Sequence, residues 1–378
     1  MNTDLTPTYQ RLFGDHWVLW YKASNSYSVI DKSFKKVLDF YLKSDTLAVF
    51  EHRLLKEDPT SDLKTVVQTL VTYLENCNSF PVAAKNTLED FDASHRHIEK
   101  HYAIKGKIVK VYFDSELVSK TIHPALAYLS LESPAPCDIT FDVYIKAKQL
   151  YLFKNKKLIC CVPQQEYHRL QGKFNMHLLC FLHDKTEMDW IGTFHGSTIT
   201  DGESSLLIIG ASGKGKSTLC AILAAHNFSL VADDLSPMLS GTQSIYYNPS
   251  AISIKEGAFS LLSPLVKGFD NLPIVQFNKS KGLIKYMPCT PPLENAYPCK
   301  GLILVNYQAK AAIKLETVSI KTLLETLIPD SWLSPNPGHA KEFLDWLSTV
   351  KCYQLTYSDS KSVSLELSQL FQLLNTNE

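Results

Sequence analysis

The sequence predicts a mixed α/β fold in three parts: a winged-helix-like unit, a β-rich lobe and an α/β layer. Three observations carry this prediction. The first eighty residues read as a β-hairpin followed by three amphipathic helices. The stretch from about 101 to 190 breaks into short β-prone bursts. From Trp190 onward, apolar strand-like runs alternate with helix-prone runs. A chain of 378 residues suits two or three domains and can bury sizeable cores without staples.

In the first part, Trp17 to Tyr21 and Tyr27 to Ile30 are β-prone runs separated by a turn around Asn25. Phe34, Val37, Leu38, Tyr41 and Leu42 then share one helical face, with Ser33 placed to cap it. Leu47, Val49, Phe50 and Leu54 predict a second helix. Leu63, Val66, Val67, Leu70, Tyr73 and Leu74 form the stripe of a third, capped by Ser61 or Asp62. The unit is expected over residues 1–82, with a polar linker over 83–98. The remainder, 99–378, divides into a β-rich lobe (99–190) and a core (191–378). In the lobe, Ile108 to Phe113, Ile139 to Ile145, Leu150 to Phe153 and Leu158 to Val162 predict antiparallel strands, with a turn at Lys154-Asn155-Lys156. Helices are expected around Phe343 to Leu347 and Ser364 to Leu374.

Composition narrows the function classes. Apolar residues are 45% of the chain and charged residues 20%, with formal net charge +0, so no global field advertises nucleic acid or an anionic membrane. There is no run of eighteen apolar residues and no secretory layout at Met1 to Pro7, which predicts a cytoplasmic protein without membrane contact. Nine cysteines without a Cys-x-x-Cys pair predict reduced, mostly packed thiols. The scattered histidines 101, 123, 168, 177 and 183 lack metal-ligand spacing.

The strongest local signal is Gly210-Ala-Ser-Gly-Lys-Gly-Lys-Ser-Thr218, which fits G-x-x-x-x-G-K-[ST]. The apolar run Ser205 to Ile209 precedes it, and the breaker-free Thr218 to Ala225 follows. Glycines let backbone N–H groups curl around phosphate oxygens, and a helix N-terminus adds positive potential. Gly210, Ser212, Gly213, Lys214, Gly215, Lys216, Ser217 and Thr218 are therefore the expected nucleotide contacts, Lys216 reaching the outer phosphates and Ser217 holding Mg²⁺. Next comes Leu230-Val-Ala-Asp-Asp234, an apolar run ending in two carboxylates. One acid can hold the metal or its water shell, and the other can take a proton from an attacking hydroxyl. Adjacent strand residues point opposite ways, so both roles require the strand to end there.

His195-Gly196, the 210–217 loop and Val231 to Asp234, in this order, resemble the HPr kinase/phosphorylase family and its relatives. The likeness extends to Asn248 to Gly257, where Lys255 looks like a group near the phosphates, and weakly through Tyr286 to Pro288, Leu302 to Tyr307 and the helical tail. The resemblance implies an ATP- and Mg²⁺-dependent kinase, with Lys216 and Ser217 on phosphate and metal, Asp233 placing Mg²⁺, Asp234 as general base and His195 near the transferred group. The two aspartate roles can be exchanged without straining the sequence. Phosphorylase-competent members tend to carry Glu after the loop serine, where this chain has Thr218, which predicts a one-way kinase with an acceptor other than HPr. ATP is the expected donor, with GTP and pyrophosphate open, and the resemblance admits a homo-oligomer.

Residues 1–82 resemble the PqqD family of winged-helix-like peptide-binding domains, through Ser26 to Asp31, Phe34 to Leu42 and Leu63 to Leu74. Such domains capture a leader segment by strand addition. The last helix carries one cation, Lys64, which makes DNA the weaker partner. The expected activity is thus phosphorylation of a Ser or Thr hydroxyl on a ribosomally made peptide or small protein. Two alternatives stand beside it. One is an ATP-controlled peptide-binding module, which needs no base. The other is a small-molecule kinase acting on free serine, which needs no residues 1–82.

Overall fold

The computed structural model describes residues 5–80, 90–276 and 282–376. Residues 81 and 82 of the expected N-terminal unit and 83–89 of the expected linker lie outside this set. The described chain is a mixed α/β protein with four sheets.

The N-terminal sheet has three antiparallel strands, Tyr9–Phe13, His16–Tyr21 and Ser26–Asp31. The first was not anticipated, because Gln10, Arg11 and Leu12 give it no apolar alternation to read. Helices Lys32–Leu42, Leu47–Glu57 and Leu63–Asn78 follow. Asp31, not Ser33, caps the first of these: its carboxylate accepts the Phe34 N–H at 2.7 Å, while the Ser33 hydroxyl donates to the same oxygen. Asp62 caps the third by accepting the Thr65 N–H. Both faces of the sheet are covered, which explains the unbroken run Trp17-Val-Leu-Trp-Tyr21. Leu19, Tyr21 and Ile30 pack against the helices. Val18, Tyr27 and Val29 pack instead against the core of the C-terminal part. There the Tyr27 and Phe343 rings meet edge to face at 5.2 Å, Arg11 pairs with Asp345, and Asn25 Nδ2 donates to the Leu333 carbonyl at 2.8 Å.

A five-stranded sheet follows, formed in order by Ile98–Ile104, Lys107–Phe113, Ile139–Lys146, Gln149–Lys154 and Lys157–Pro163. Lys107–Phe113 and Ile139–Lys146 run parallel, against the antiparallel expectation. Two short helices within the long connection between them supply the crossover that a parallel pair requires. Asn155 and Lys156 both take positive φ in the expected turn, as a two-residue hairpin loop requires. Helix Tyr167–Leu182 covers one face with Leu170, Phe174 and Leu178. It lay hidden in a stretch read as strands, since Gly172 and the polar residues at 168, 169, 171, 173 and 175 blur its stripe.

The C-terminal part is built on a ten-stranded sheet. At its centre Ser205–Ile209, Ala296–Tyr307 and Lys351–Tyr357 are mutually parallel neighbours in that order, so their carboxyl ends lie on one side. Antiparallel Ser197–Thr200 and then Ser229–Ala232 continue the sheet beyond Ser205–Ile209. Helices Lys216–Ala224 and Ser360–Thr376 pack on one face, through Leu219, Leu223, Val363 and Phe371. Ile320–Leu327 and Pro337–Thr349 pack on the other, through Leu323, Phe343 and Trp346. Alternation along the central strand divides the two cores: Leu206 and Ile208 face the first, Leu207 and Ile209 the second. All nine cysteines are free. Among the described residues, no helix is long and apolar enough to cross a membrane.

Candidate functional site

The fully buried strand Ser205–Ile209 delivers the chain to Gly210, and helix Lys216–Ala224 carries it away. Between them the loop crest, 211–214, is exposed. Gly210 packs against Val305. Gly215 caps the helix at φ 94°, and a Cβ there would lie 2.9 Å from the Tyr357 hydroxyl, so both conformation and space demand glycine. The loop is braced from outside. The Lys214 carbonyl accepts the Tyr307 N–H at 3.2 Å, and the Tyr357 hydroxyl donates to the Gly215 carbonyl at 3.3 Å. Lys216 folds back, its Nζ donating to the Gly210 carbonyl at 2.5 Å. Burial lowers the Lys216 pKa, while Asp234, Asp233 and Asp330 oppose that shift. Lys255 ends strand Ile252–Lys255, and its Nζ donates to Ser212 Oγ at 3.2 Å on the crest. Ser217 and Thr218 occupy the first helical turn, both half-buried.

The two aspartates follow strand Ser229–Ala232 directly, and their environments are opposite. Asp233 is 2% exposed. Its Oδ1 accepts from Ser197 Oγ at 2.6 Å and Ser217 Oγ at 3.2 Å, and its Oδ2 accepts the Ser253 N–H at 3.0 Å. Burial, with the neighbouring Asp234 charge, pushes its pKa up to about 6. Asp234 points outward with 70% of its side chain exposed, and its Oδ1 lies 3.4 Å from His195 Nδ1. Its φ is 64°, in a tight turn closed by the Leu235 N–H donating to the Asp233 carbonyl at 2.8 Å. A non-glycine residue held there stores strain that its surroundings must offset.

Those surroundings were not legible in the sequence. Asn248, 2% exposed, straddles the turn: its N–H donates to the Val231 carbonyl and its Nδ2 to the Leu235 carbonyl, both at 2.9 Å. Ser331 fixes the other partner, its Oγ accepting the His195 N–H at 3.0 Å. Gly196 is required because a Cβ would stand 2.7 Å from the Ile208 carbonyl oxygen. Asn248→Ala leaves the Leu235 carbonyl without this partner. It is expected to cost about 1–3 kcal/mol of unfolding free energy, measurable by urea denaturation.

Thus one place collects the loop, Lys216, Ser217, Lys255, both aspartates and His195. Among the described residues no group of three or more His, Cys, Asp and Glu side chains is arranged to hold a metal ion by itself. A hard divalent cation would therefore take Ser217 and the Asp233 side as its protein contacts and complete its shell with water and phosphate oxygens, the usual arrangement for Mg²⁺. A buried carboxylate with a raised pKa suits such a cation, which offsets the cost of ionising it. The exposed Asp234, steadied by His195, can accept a proton from a hydroxyl arriving from solvent.

No family model and no curated protein matches the sequence. Among solved structures similar to this chain is the Hpr(Ser) kinase/phosphatase from Coxiella burnetii, at 14% identity and a TM-score of 0.24, covering 48% of this chain and 93% of that one. A likeness at that score assigns no role to any residue here, and the functional case rests on the site's own geometry.

Proposed function

We propose that this chain is an ATP- and Mg²⁺-dependent phosphotransferase acting on a Ser or Thr hydroxyl of a ribosomally made peptide or small protein, which residues 1–82 recognise. The observation that carries the reading is the division of labour between adjacent aspartates. One is buried against the loop serine, and the other is exposed beside a histidine. A site that only binds nucleotide has use for the first and none for the second.

In the proposed reaction the loop N–H groups and Lys216 cradle the phosphates, so Lys216 Nζ must leave the Gly210 carbonyl when they arrive. The acceptor hydroxyl gives its proton to Asp234 as its oxygen bonds to the γ-phosphorus. The bond from that phosphorus to the β–γ bridging oxygen breaks, and ADP leaves. Mg²⁺, when bound, neutralises charge on the phosphate oxygens. Lys255 and Lys216 add positive charge on the loop side, where charge develops on the leaving oxygen. Asp233 and Asp234 keep their separate tasks because the strand ends before them and the turn splits their directions.

Peptide capture through the N-terminal unit is the second half of the proposal. A tethered acceptor gains effective concentration, so the catalytic mouth needs little affinity of its own. Since Val18 and Tyr27 pack against the Phe343 core, deleting residues 1–82 would bare apolar surface, and competition on the intact chain is the cleaner test. With a leader-bearing peptide as acceptor, excess free leader is expected to lower the transfer rate by raising the apparent KM. Unchanged rates, together with phosphorylation of free serine, would point to the small-molecule kinase instead.

A further inference from the structure

The phosphate loop has two flanks, and they differ. On one, beyond Ser197–Thr200, lie Asp233, Asp234 and His195. On the other, the parallel strands Ala296–Tyr307 and Lys351–Tyr357 bring their carboxyl ends alongside the loop. Ligands of parallel sheets bind outside carboxyl ends of this kind. If the transferred phosphoryl faces Asp234, the rest of the nucleotide must leave over the opposite flank.

Tyr307 stands there. It is 41% exposed, and among the described residues it and Phe80 are the two aromatic residues left exposed. Its backbone N–H holds the Lys214 carbonyl, and its Cβ would lie 3.2 Å from a Cβ built on Gly215, so it abuts the loop directly. The buried Tyr357 meets its ring edge-on at 5.5 Å and itself donates to the Gly215 carbonyl. A ring braced by Tyr357 and left partly in solvent can take a nucleotide base by stacking, which tolerates any base because every base has a π-face.

We propose that Tyr307 is the stacking platform for the base of the bound nucleoside triphosphate. This rests on the nucleotide reading above and adds the base subsite, which favours nucleotides over inorganic polyphosphates without choosing strongly among bases.

The test is calorimetric titration of the intact chain with Mg-ATP and, separately, with Mg-tripolyphosphate. Tyr307→Ala is expected to weaken ATP binding about tenfold, the loss of one stacked base, and to leave tripolyphosphate binding unchanged. Tyr307→Phe keeps the π-face and is expected to bind ATP as wild type does. Unchanged tripolyphosphate affinity also reports that the loop is still folded. Equal weakening of both ligands, or of neither, overturns the stacking role while leaving the phosphate site in place. A wild type that binds neither ligand overturns the nucleotide reading and this one together.

Discussion

Asp234→Asn is expected to lower phosphoryl transfer by about 10²–10⁴-fold, the usual worth of a positioned general base, while ATP affinity changes little. The asymmetry follows from geometry. Asp234 is exposed and its ion pair is with His195 rather than with the loop, so its amide keeps the shape and removes the proton acceptor, together with a charge that acts on Lys216 and Asp233. The effect should fall on kcat rather than on KM for ATP, because the interaction is made with the hydroxyl as it reacts. Single-turnover quench experiments read the chemical step, and titration with ATP reads the binding. Equal loss in both would mean that Asp234 builds the site rather than serving the reaction. An undiminished rate would give the base role to another group, and Asp233 is poorly placed to take it, being buried under three donors.

Asp233 governs the second large effect, through pH. Its pKa stands at about 6 in the fold against an ordinary 3.8. Below about pH 4 both folded and unfolded chains hold the proton, and the group costs the fold nothing. As pH rises through about 6 the folded carboxyl is forced to ionise in a buried place, and stability on the order of 3 kcal/mol is lost. In the absence of nucleotide and metal, this group should therefore make the chain less resistant to urea as pH rises between about 4 and 6. Mg-ATP should oppose that loss, since a cation favours the ionised form. By the same linkage, Mg-ATP affinity should weaken as pH falls through about 6, and Asp233→Asn should flatten the part of that dependence that the protein contributes and weaken the dependence on Mg²⁺. Measuring Mg-ATP affinity at several pH values in both proteins checks this; a profile shared by wild type and Asp233→Asn would remove Asp233 from the metal site.

How much of this was legible depended on whether the information was local. The loop and the Asp-Asp pair are contiguous segments whose spacing alone suggests phosphate chemistry, so they could be read in advance. The strand's end before Asp233 could be argued too, from two carboxylates with incompatible directions. What could not be read was assembled from distant strands. Ser197 reaches Asp233 across a strand pair, Asn248 ties Val231 to Leu235, and Ser331 holds His195 from 136 residues away. Ser197 and Ser331 carry no periodic or motif signature, and although Asn248 opens a segment that the resemblance reaches, nothing local shows what its amide holds. Helix Tyr167–Leu182 was lost for a related reason: its identity comes from the sheet it covers, while its own sequence carries a central glycine. The parallel pairing of Lys107–Phe113 with Ile139–Lys146 is likewise a property of the connection, not of either strand.

Phosphoryl transfer to a peptide is read from the intact mass of candidate peptides, those encoded beside the gene among them, after incubation with the purified chain and Mg-ATP. A gain of one phosphate on a Ser or Thr is expected, absent when Asp234→Asn replaces the wild type. A chain that binds Mg-ATP tightly yet transfers phosphate to no peptide and to no free serine would contradict it, and would leave the loop as a nucleotide-controlled binding switch.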